Sequence, residues 1–273
     1  MSHNVCDRSA MLGGLRFHYR EWPNPGAQAL VLLHGFTGHA RSWDSLATAM
    51  QANYHVYALD QRGHGDSDWA EDYSAEAMVE DVQRWVTALG LKKFVLLGLS
   101  MGGRNAYQFA ATHPEEVERL VIVDIGPEIA SAGSNRILTG VRASDVFASP
   151  EEALERAQAA NPRADEAEQV NRTLNNLMLR EDGTWTFRYD KGLRDGSRPL
   201  ARPDAGDGWA LLGKITAPTL LIRGELSDVL DAGVAERMRK EIAGCKFAVV
   251  PGAGHSIPLE SPKGFLEAVR TFL

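Results

Sequence analysis

Along most of the chain, short runs of consecutive apolar residues alternate with stretches whose apolar positions fall at helical spacing. Ala29-Leu30-Val31-Leu32-Leu33 ends at His34-Gly35, Tyr54 to Leu59 ends at Asp60, Phe94-Val95-Leu96-Leu97 ends at Gly98, and Leu120-Val121-Ile122-Val123 ends at Asp124. Runs without polar alternation mark strands buried on both faces, which means a parallel sheet covered by helices. Ser74 to Leu89 supplies one such cover. Its Ala77, Met78, Val82, Trp85, Val86 and Leu89 follow a helical period, with Ser74 placed to cap the helix and Gly90 to stop it. Strand and helix alternating in this way predict a doubly wound α/β sheet.

The middle of the chain breaks the rhythm. Between about Gly126 and Gly208 the strong strand runs vanish. In their place come two predicted helices, Glu151 to Ala160 and Glu166 to Leu179, then Trp185-Thr186-Phe187-Arg188-Tyr189 and a stretch rich in Gly, Pro, Arg and Asp. The α/β pattern returns with Thr219-Leu220-Leu221-Ile222 before Arg223-Gly224, and with Phe247-Ala248-Val249-Val250 before Pro251-Gly252. A last helix is predicted from Ser261 to Phe272, with Pro262 in its first turn. The division read from this pattern is an α/β core of residues 1–126 and 207–273, interrupted by a mostly helical insertion at 127–206. There are no internal repeats and no low-complexity tracts.

Composition narrows the function classes. The 273 residues are 44% apolar and 24% charged, an ordinary globular mix that excludes disordered and fibrous chains. With 29 basic and 36 acidic side chains the net charge is −7, which argues against a nucleic acid or an anionic membrane as partner. No apolar stretch approaches the roughly 20 residues of a membrane span. His3, Asp7, Arg8 and Arg16 interrupt any leader-like core at the N-terminus. Two cysteines, Cys6 and Cys245, without a CxxC, leave neither a disulfide framework nor a zinc site as organising principle. The expectation is a soluble, cytoplasmic protein without metal or cofactor.

Gly98-Leu99-Ser100-Met101-Gly102 follows an apolar strand directly and opens a helical stretch, Asn105, Ala106, Phe109 and Ala110, backed by Gly103. A serine on a sharp strand-to-helix turn has its hydroxyl thrust outward, and only small residues two positions away let the crossing backbones pass. The helix N-terminus adds a field that favours a developing oxyanion. This segment, together with His34-Gly35-Phe36, Asp60-Gln61-Arg62-Gly63-His64-Gly65-Asp66-Ser67 and Gly252-Ala253-Gly254-His255 in that order, resembles the α/β-hydrolase superfamily over nearly the whole chain except the insertion. The resemblance implies an eight-stranded, mostly parallel sheet flanked by helices, with the insertion after the sixth strand forming a helical lid.

It also implies site residues. A serine hydroxyl needs a base to take its proton. Among eight histidines, His255 falls after the last strand and before the last helix, the position this superfamily gives to the base. His3 is terminal; His18, His39, His55 and His113 lie in loops or at element edges without a motif; His34 and His64 sit in turns where the backbone or a structural role accounts for them. For the oxyanion hole the resemblance implies the backbone N–H groups of Phe36 and Met101, and Phe36 is equally placed to wall a pocket. The acid that orients His255 is ambiguous. The usual loop follows the seventh strand, three residues past its glycine, where Ser227 stands and Asp228 comes next. Asp124, at the end of the sixth strand and 24 residues beyond the serine, is the favoured alternative, used by some short-lid esterases.

The insertion should set substrate choice. It carries Trp185, Phe187, Tyr189 and nearby Trp209, with Arg136, Arg142, Arg172, Arg180, Arg188 and Arg194. Aromatic side chains wall an apolar pocket, and an arginine turned inward could hold a carboxylate bidentately. Trp185, Tyr189 and Arg104, the last just past the elbow, are the candidate pocket residues. The leading reading is a cofactor-free serine hydrolase acting on a small-molecule ester or lactone. Hydrolysis of a carbon–carbon bond in a ring-cleavage-type diketone is the alternative, and a non-catalytic receptor on the same fold is a third reading.

Overall fold

The computed structural model describes residues 5–198 and 205–273. Eight strands form one sheet: β1 (Cys6–Leu12), β2 (Leu15–Trp22), β3 (Gln28–Leu33), β4 (Tyr54–Leu59), β5 (Phe94–Leu99), β6 (Val117–Val123), β9 (Thr219–Gly224) and β10 (Lys246–Val250). Their spatial order is β1-β2-β4-β3-β5-β6-β9-β10. From β4 to β10 every pairing is parallel, whereas β2 runs antiparallel to both β1 and β4. The protein thus has the largely parallel α/β sheet that the apolar runs predict, in the eight-stranded form that the superfamily resemblance implies.

Two cores explain why those runs carry no polar alternation. Successive strand side chains point to opposite faces. On one face Val31, Leu33 and Leu96 pack against Val82 and Trp85 of α2 (Ala75–Ala88), Ala106 and Phe109 of α3 (Met101–Thr112), Leu212 of α8 (Ala205–Leu212) and Met238 of α9 (Ala232–Glu241). On the other, Leu30, Leu32, Val95 and Leu97 meet Leu46 of α1 (Asp44–Met50) and Phe265 and Val269 of α11 (Pro262–Phe272). Ser74 caps α2 by accepting from the Ala77 N–H at 3.3 Å.

Between β6 and β9 lie α4 (Ser131–Arg142), α5 (Pro150–Ala160), α6 (Glu166–Asn175), the short hairpin β7 (Leu177–Leu179) and β8 (Trp185–Phe187), and α7 (Lys191–Asp195). Residues 199–204 of the predicted insertion lie outside the described residues. One boundary differs from the sequence reading. The helix predicted over 166–179 ends at Asn175, and Leu177-Met178-Leu179 instead pairs antiparallel with Trp185-Thr186-Phe187. Three consecutive apolar residues have no helical period, and the Asp182-Gly183 turn, with Gly183 at φ 82°, folds the strand back. A final short helix, α10 (Ile257–Glu260), precedes α11.

Candidate active site

β5 delivers the chain into the elbow at Ser100, whose backbone stands at φ 53°, ψ −116°, a conformation rare for any residue with a side chain. Two glycines permit it. A Cβ on Gly98 would overlap the Gly102 backbone, and one on Gly102 would overlap the Leu33 carbonyl. The Ser100 N–H donates to the Val123 carbonyl at 2.9 Å, which ties the elbow to the end of β6. Ser100 is the cap position of α3, so the helix's unpaired N–H groups begin beside its side chain.

His255, in the loop between β10 and α10, places Nε2 3.0 Å from Ser100 Oγ and Nδ1 2.8 Å from Asp124 Oδ2. Asp124 is fully buried at the end of β6 and also takes a positive φ of 50°. Its Oδ1 accepts the Gly224 N–H at 3.0 Å, and its Oδ2 accepts the Ser227 hydroxyl at 2.5 Å. An ionised carboxylate only accepts, so the Nδ1 proton of His255 points to Asp124 and Nε2 is left to accept from the serine hydroxyl.

Asp228 is placed differently. Its carboxylate receives Arg136 Nε at 2.6 Å and Nη2 at 2.8 Å, and this guanidinium holds it below the usual carboxylate range. Ser227, passed over in the sequence as the residue where an acid is usual, instead joins the site as a hydroxyl. It donates to Asp124 while its oxygen accepts the N–H groups of Val229 and Leu230 at 3.2 Å. The signal that could have found it is its spacing, three residues after Gly224.

The loop after β3 presses on the elbow: a Cβ on Gly35 would lie 3.3 Å from that of Ser100. Next in this loop, the Phe36 N–H has no hydrogen-bond acceptor among the described residues, and the Met101 N–H opens α3. A buried brace holds the loop in place. His34 Nδ1 donates to the Gly35 carbonyl at 2.8 Å, while His34 Nε2 accepts the Gln61 N–H at 3.0 Å. The Gln61 amide in turn donates to the His34 carbonyl and accepts from Asn105 of α3, both at 2.7 Å. Burial keeps His34 neutral, its pKa pushed down to about 3.

A cavity of about 320 Å³ opens above Ser100 and His255. Phe36, Leu99, Ile137, Val141, Phe187 and Tyr189 give it apolar walls, and α4, α5 and α6 of the inserted segment contribute much of the rest. Of the three pocket candidates, Tyr189 lines the cavity and its ring lies 6.3 Å from that of Phe36. Trp185 packs beside Phe147, and Arg104 is buried on α3; neither faces the cavity. Arg180, Arg188 and Arg194 pair with Asp182, Asp66 and Asp145, Arg142 is exposed, and Arg136 and Arg172 line the cavity. Among the described residues, His18, Asp60 and Asp66 gather metal-type ligand atoms within 4.8 Å. Those atoms are already engaged: His18 Nδ1 meets Asp60 at 2.7 Å, Asp60 accepts the N–H groups of Ala40 and Asp66, and Asp66 holds Arg188.

The sequence model of the family described as alpha/beta hydrolase fold matches residues 28–262. The chain belongs to the α/β-hydrolase family. It is 32% identical to an sn-1-specific diacylglycerol lipase of Mus musculus over 90% of this chain and 80% of that one. It is 27% identical to a 2-(acetamidomethylene)succinate hydrolase of Mesorhizobium japonicum over 100% of this chain and 96% of that one. The crystal structure of E-2-(acetamidomethylene)succinate hydrolase superposes with a TM-score of 0.90 at 24% identity, covering 98% and 99% of the two chains, a likeness of fold. As in these α/β-hydrolases, the enzyme's chemistry is hydrolytic. No described helix is long and apolar enough to cross a membrane.

Proposed function

We propose that this α/β-hydrolase is a serine esterase acting on small carboxylic esters or lactones. The observation that carries the reading is the continuous hydrogen-bonded line from Ser100 Oγ through the His255 ring to the Asp124 carboxylate. As Ser100 Oγ attacks the ester carbonyl, His255 Nε2 takes its proton and Asp124 stabilises the resulting imidazolium. The N–H groups of Phe36 and Met101 receive the negative charge that develops on the carbonyl oxygen. Collapse expels the alcohol, which leaves with the proton from His255. Water then attacks the acyl-serine by the same route and releases the acid. The inserted segment serves as the lid of this site, and the diacylglycerol lipase relative, named for ester cleavage, supports an ester as substrate class.

The test is hydrolysis of short p-nitrophenyl esters by the wild type and three variants. Ser100→Ala should remove activity, and Asp124→Asn should lower kcat by roughly 10³- to 10⁴-fold. Asp228→Asn, which loses only the contact with Arg136, should change it little. A folded wild type that cleaves no ester but turns over a vinylogous diketone would move the reading to carbon–carbon bond hydrolysis.

A further inference from the structure

One face of α6 and its cap enters the cavity, and it is polar. Gln169, Arg172, Thr173 and Asn176 follow the i, i+3, i+4, i+7 spacing that a packed helix normally gives to apolar side chains. Gln169, Thr173 and Asn176 are each about 5% exposed. Among the described residues Gln169 Oε1 and Asn176 Oδ1 have no hydrogen-bond partner, so the stripe is polar without being satisfied internally.

Arg172 is the cation of this wall that has no partner acid among the described residues. Its guanidinium meets the Thr37 hydroxyl at 3.4 Å, and among the described residues no carboxylate lies within 4.0 Å of it. Burial pushes its pKa down. Glu168 stands four residues earlier and also lines the cavity, where an i, i+4 ion pair would be ordinary, yet its carboxylate takes the Ser45 hydroxyl instead and lies more than 4.0 Å from the Arg172 guanidinium. The other arginine of the cavity, Arg136, is already neutralised by Asp228. Arg172 is half-buried, and a cation drawn partly out of water without a counter-charge is costly unless an anion joins it.

The helix is also held rigidly against the loop that contains Phe36. The Arg172 carbonyl accepts from His39 Nε2 at 2.9 Å, the Asn171 amide donates to the Arg41 carbonyl at 2.8 Å, and the Asn176 amide donates to the Thr37 carbonyl at 3.0 Å. Arg172 therefore sits beside Thr37, the residue next to Phe36. We propose that Arg172, within the polar face of α6, binds a carboxylate carried by the substrate, so that half-esters of dicarboxylic acids are preferred over neutral esters. A single uncompensated guanidinium, with its planar fork, matches a singly charged carboxylate better than a doubly charged phosphate monoester. The choice of half-esters rests on the esterase reading; the carboxylate subsite does not.

The experiment compares kcat/KM for mono-p-nitrophenyl glutarate and p-nitrophenyl butyrate in the wild type, Arg172→Gln, Arg172→Lys and Gln169→Glu. The wild type should favour the acidic ester. Arg172→Gln should lower the acidic-to-neutral ratio about 10- to 100-fold, with Arg172→Lys between. Gln169→Glu, nearly isosteric and three residues away on the same stripe, should lower the ratio by supplying an internal anion, and it keeps the test open if Arg172→Gln does not fold. A merely structural role for Arg172 would slow both esters in parallel and leave the ratio unmoved, which would overturn the proposal. Glutarate binding is measured alongside by calorimetry. Binding that depends on Arg172 without turnover of either ester would retain the subsite and sink the esterase reading. No binding together with no acidic preference would sink the subsite alone.

Discussion

At the scale of single residues, the informative pair is Asp124 and Ser227. Asp124 reaches His255 from the end of β6, and Ser227 approaches the same carboxylate oxygen from the loop after β9, the place where the superfamily resemblance puts the acid. The sequence left Asp124 and Asp228 both open because each stands at a strand end near the site, and a one-residue difference in loop register decides which side chain turns inward. Ser227 turns toward His255 through Asp124, while Asp228 turns out to Arg136. If Ser227 acts by positioning the Asp124 carboxylate, Ser227→Ala should lower kcat by about tenfold, the worth of one hydrogen bond to a charged group, with little change in KM. A stronger check moves the acid. Asp124→Asn combined with Ser227→Asp should recover at least about tenfold over Asp124→Asn alone, because the new carboxylate starts from the side chain that already meets the old one. Additive losses in the double variant would remove Ser227 from the site.

At the scale of elements, legibility followed consecutive apolar residues: β10 was read from them although only Val250 of its five residues is buried, and β2, whose run Arg16, His18, Arg20 and Glu21 interrupt, went unread although four of its eight residues are buried. β3, β5, β6 and β9 could be read from the sequence because both faces of each are covered, leaving runs of apolar residues that no amphipathic helix shows. β1 went unread: four of its seven residues are exposed, its sequence includes Asp7, Arg8 and Ser9, and it sits at the sheet edge, where pairing with β2 rather than burial holds it. Of the inserted helices, α5 and α6 were read and α4 was not, because its Ser131, Gly133, Ser134 and Gly140 leave few apolar positions and only Gly133 and Val141 are buried. Six arginines in or near that segment looked alike in sequence, and only the fold shows that Arg172 faces inward without an acid. The elbow was legible because its glycines are dictated by backbone contact, which yields a prediction in opposite directions. Gly102→Ala drives a Cβ into the Leu33 carbonyl and should cost about 3 kcal/mol. Gly140→Ala, in α4 with nothing among the described residues within 4 Å of the added atom, should stabilise by about 0.5–1 kcal/mol by removing the flexibility of a helical glycine. Urea unfolding of the two variants measures both. Loss of stability in Gly140→Ala equal to that in Gly102→Ala would mean that helix packing, not backbone collision, sets the penalty.

At the scale of the whole molecule, the polar residues beneath the site bind loops from four parts of the chain into one buried cluster, and this cluster couples stability to pH. His34, His39 and His64 are buried and neutral: burial lowers all three, His34 to about 3 and His64 to about 4, from an ordinary 6.5. In the unfolded chain each would take up a proton below about pH 6.5, so their contribution is fully present above that value and is lost as the pH falls. His18 works in the other sense. Burial opposes its charge, but the Asp60 carboxylate more than compensates, so its contribution is present below 6.5 and lost as pH rises through its elevated pKa. Asp60 is itself held down at about 2, because its hydrogen bond and attraction to His18 outweigh burial; that contribution is lost only as the pH drops from about 4 toward 2. Three depressed histidines against one raised one leave the acid side of neutrality unfavourable. Between pH 7 and pH 5 His34 and His64 should each withdraw up to about 2 kcal/mol of stability. His64 tests the assignment, because its Nδ1 donates to the Arg62 carbonyl at 2.9 Å while its Nε2 meets no partner among the described residues. Asparagine keeps a donor and cannot take the proton. His64→Asn should be less stable at pH 7, where it leaves a cavity, and should lose less stability than the wild type on going to pH 5, by up to about 2 kcal/mol. Chemical unfolding of both proteins across that interval decides it: parallel curves would mean that His64 titrates alike in the folded and the unfolded chain, and converging curves place the neutral imidazole beneath the site, where it packs against the Phe36 ring at 5.8 Å and the Tyr189 ring at 6.0 Å.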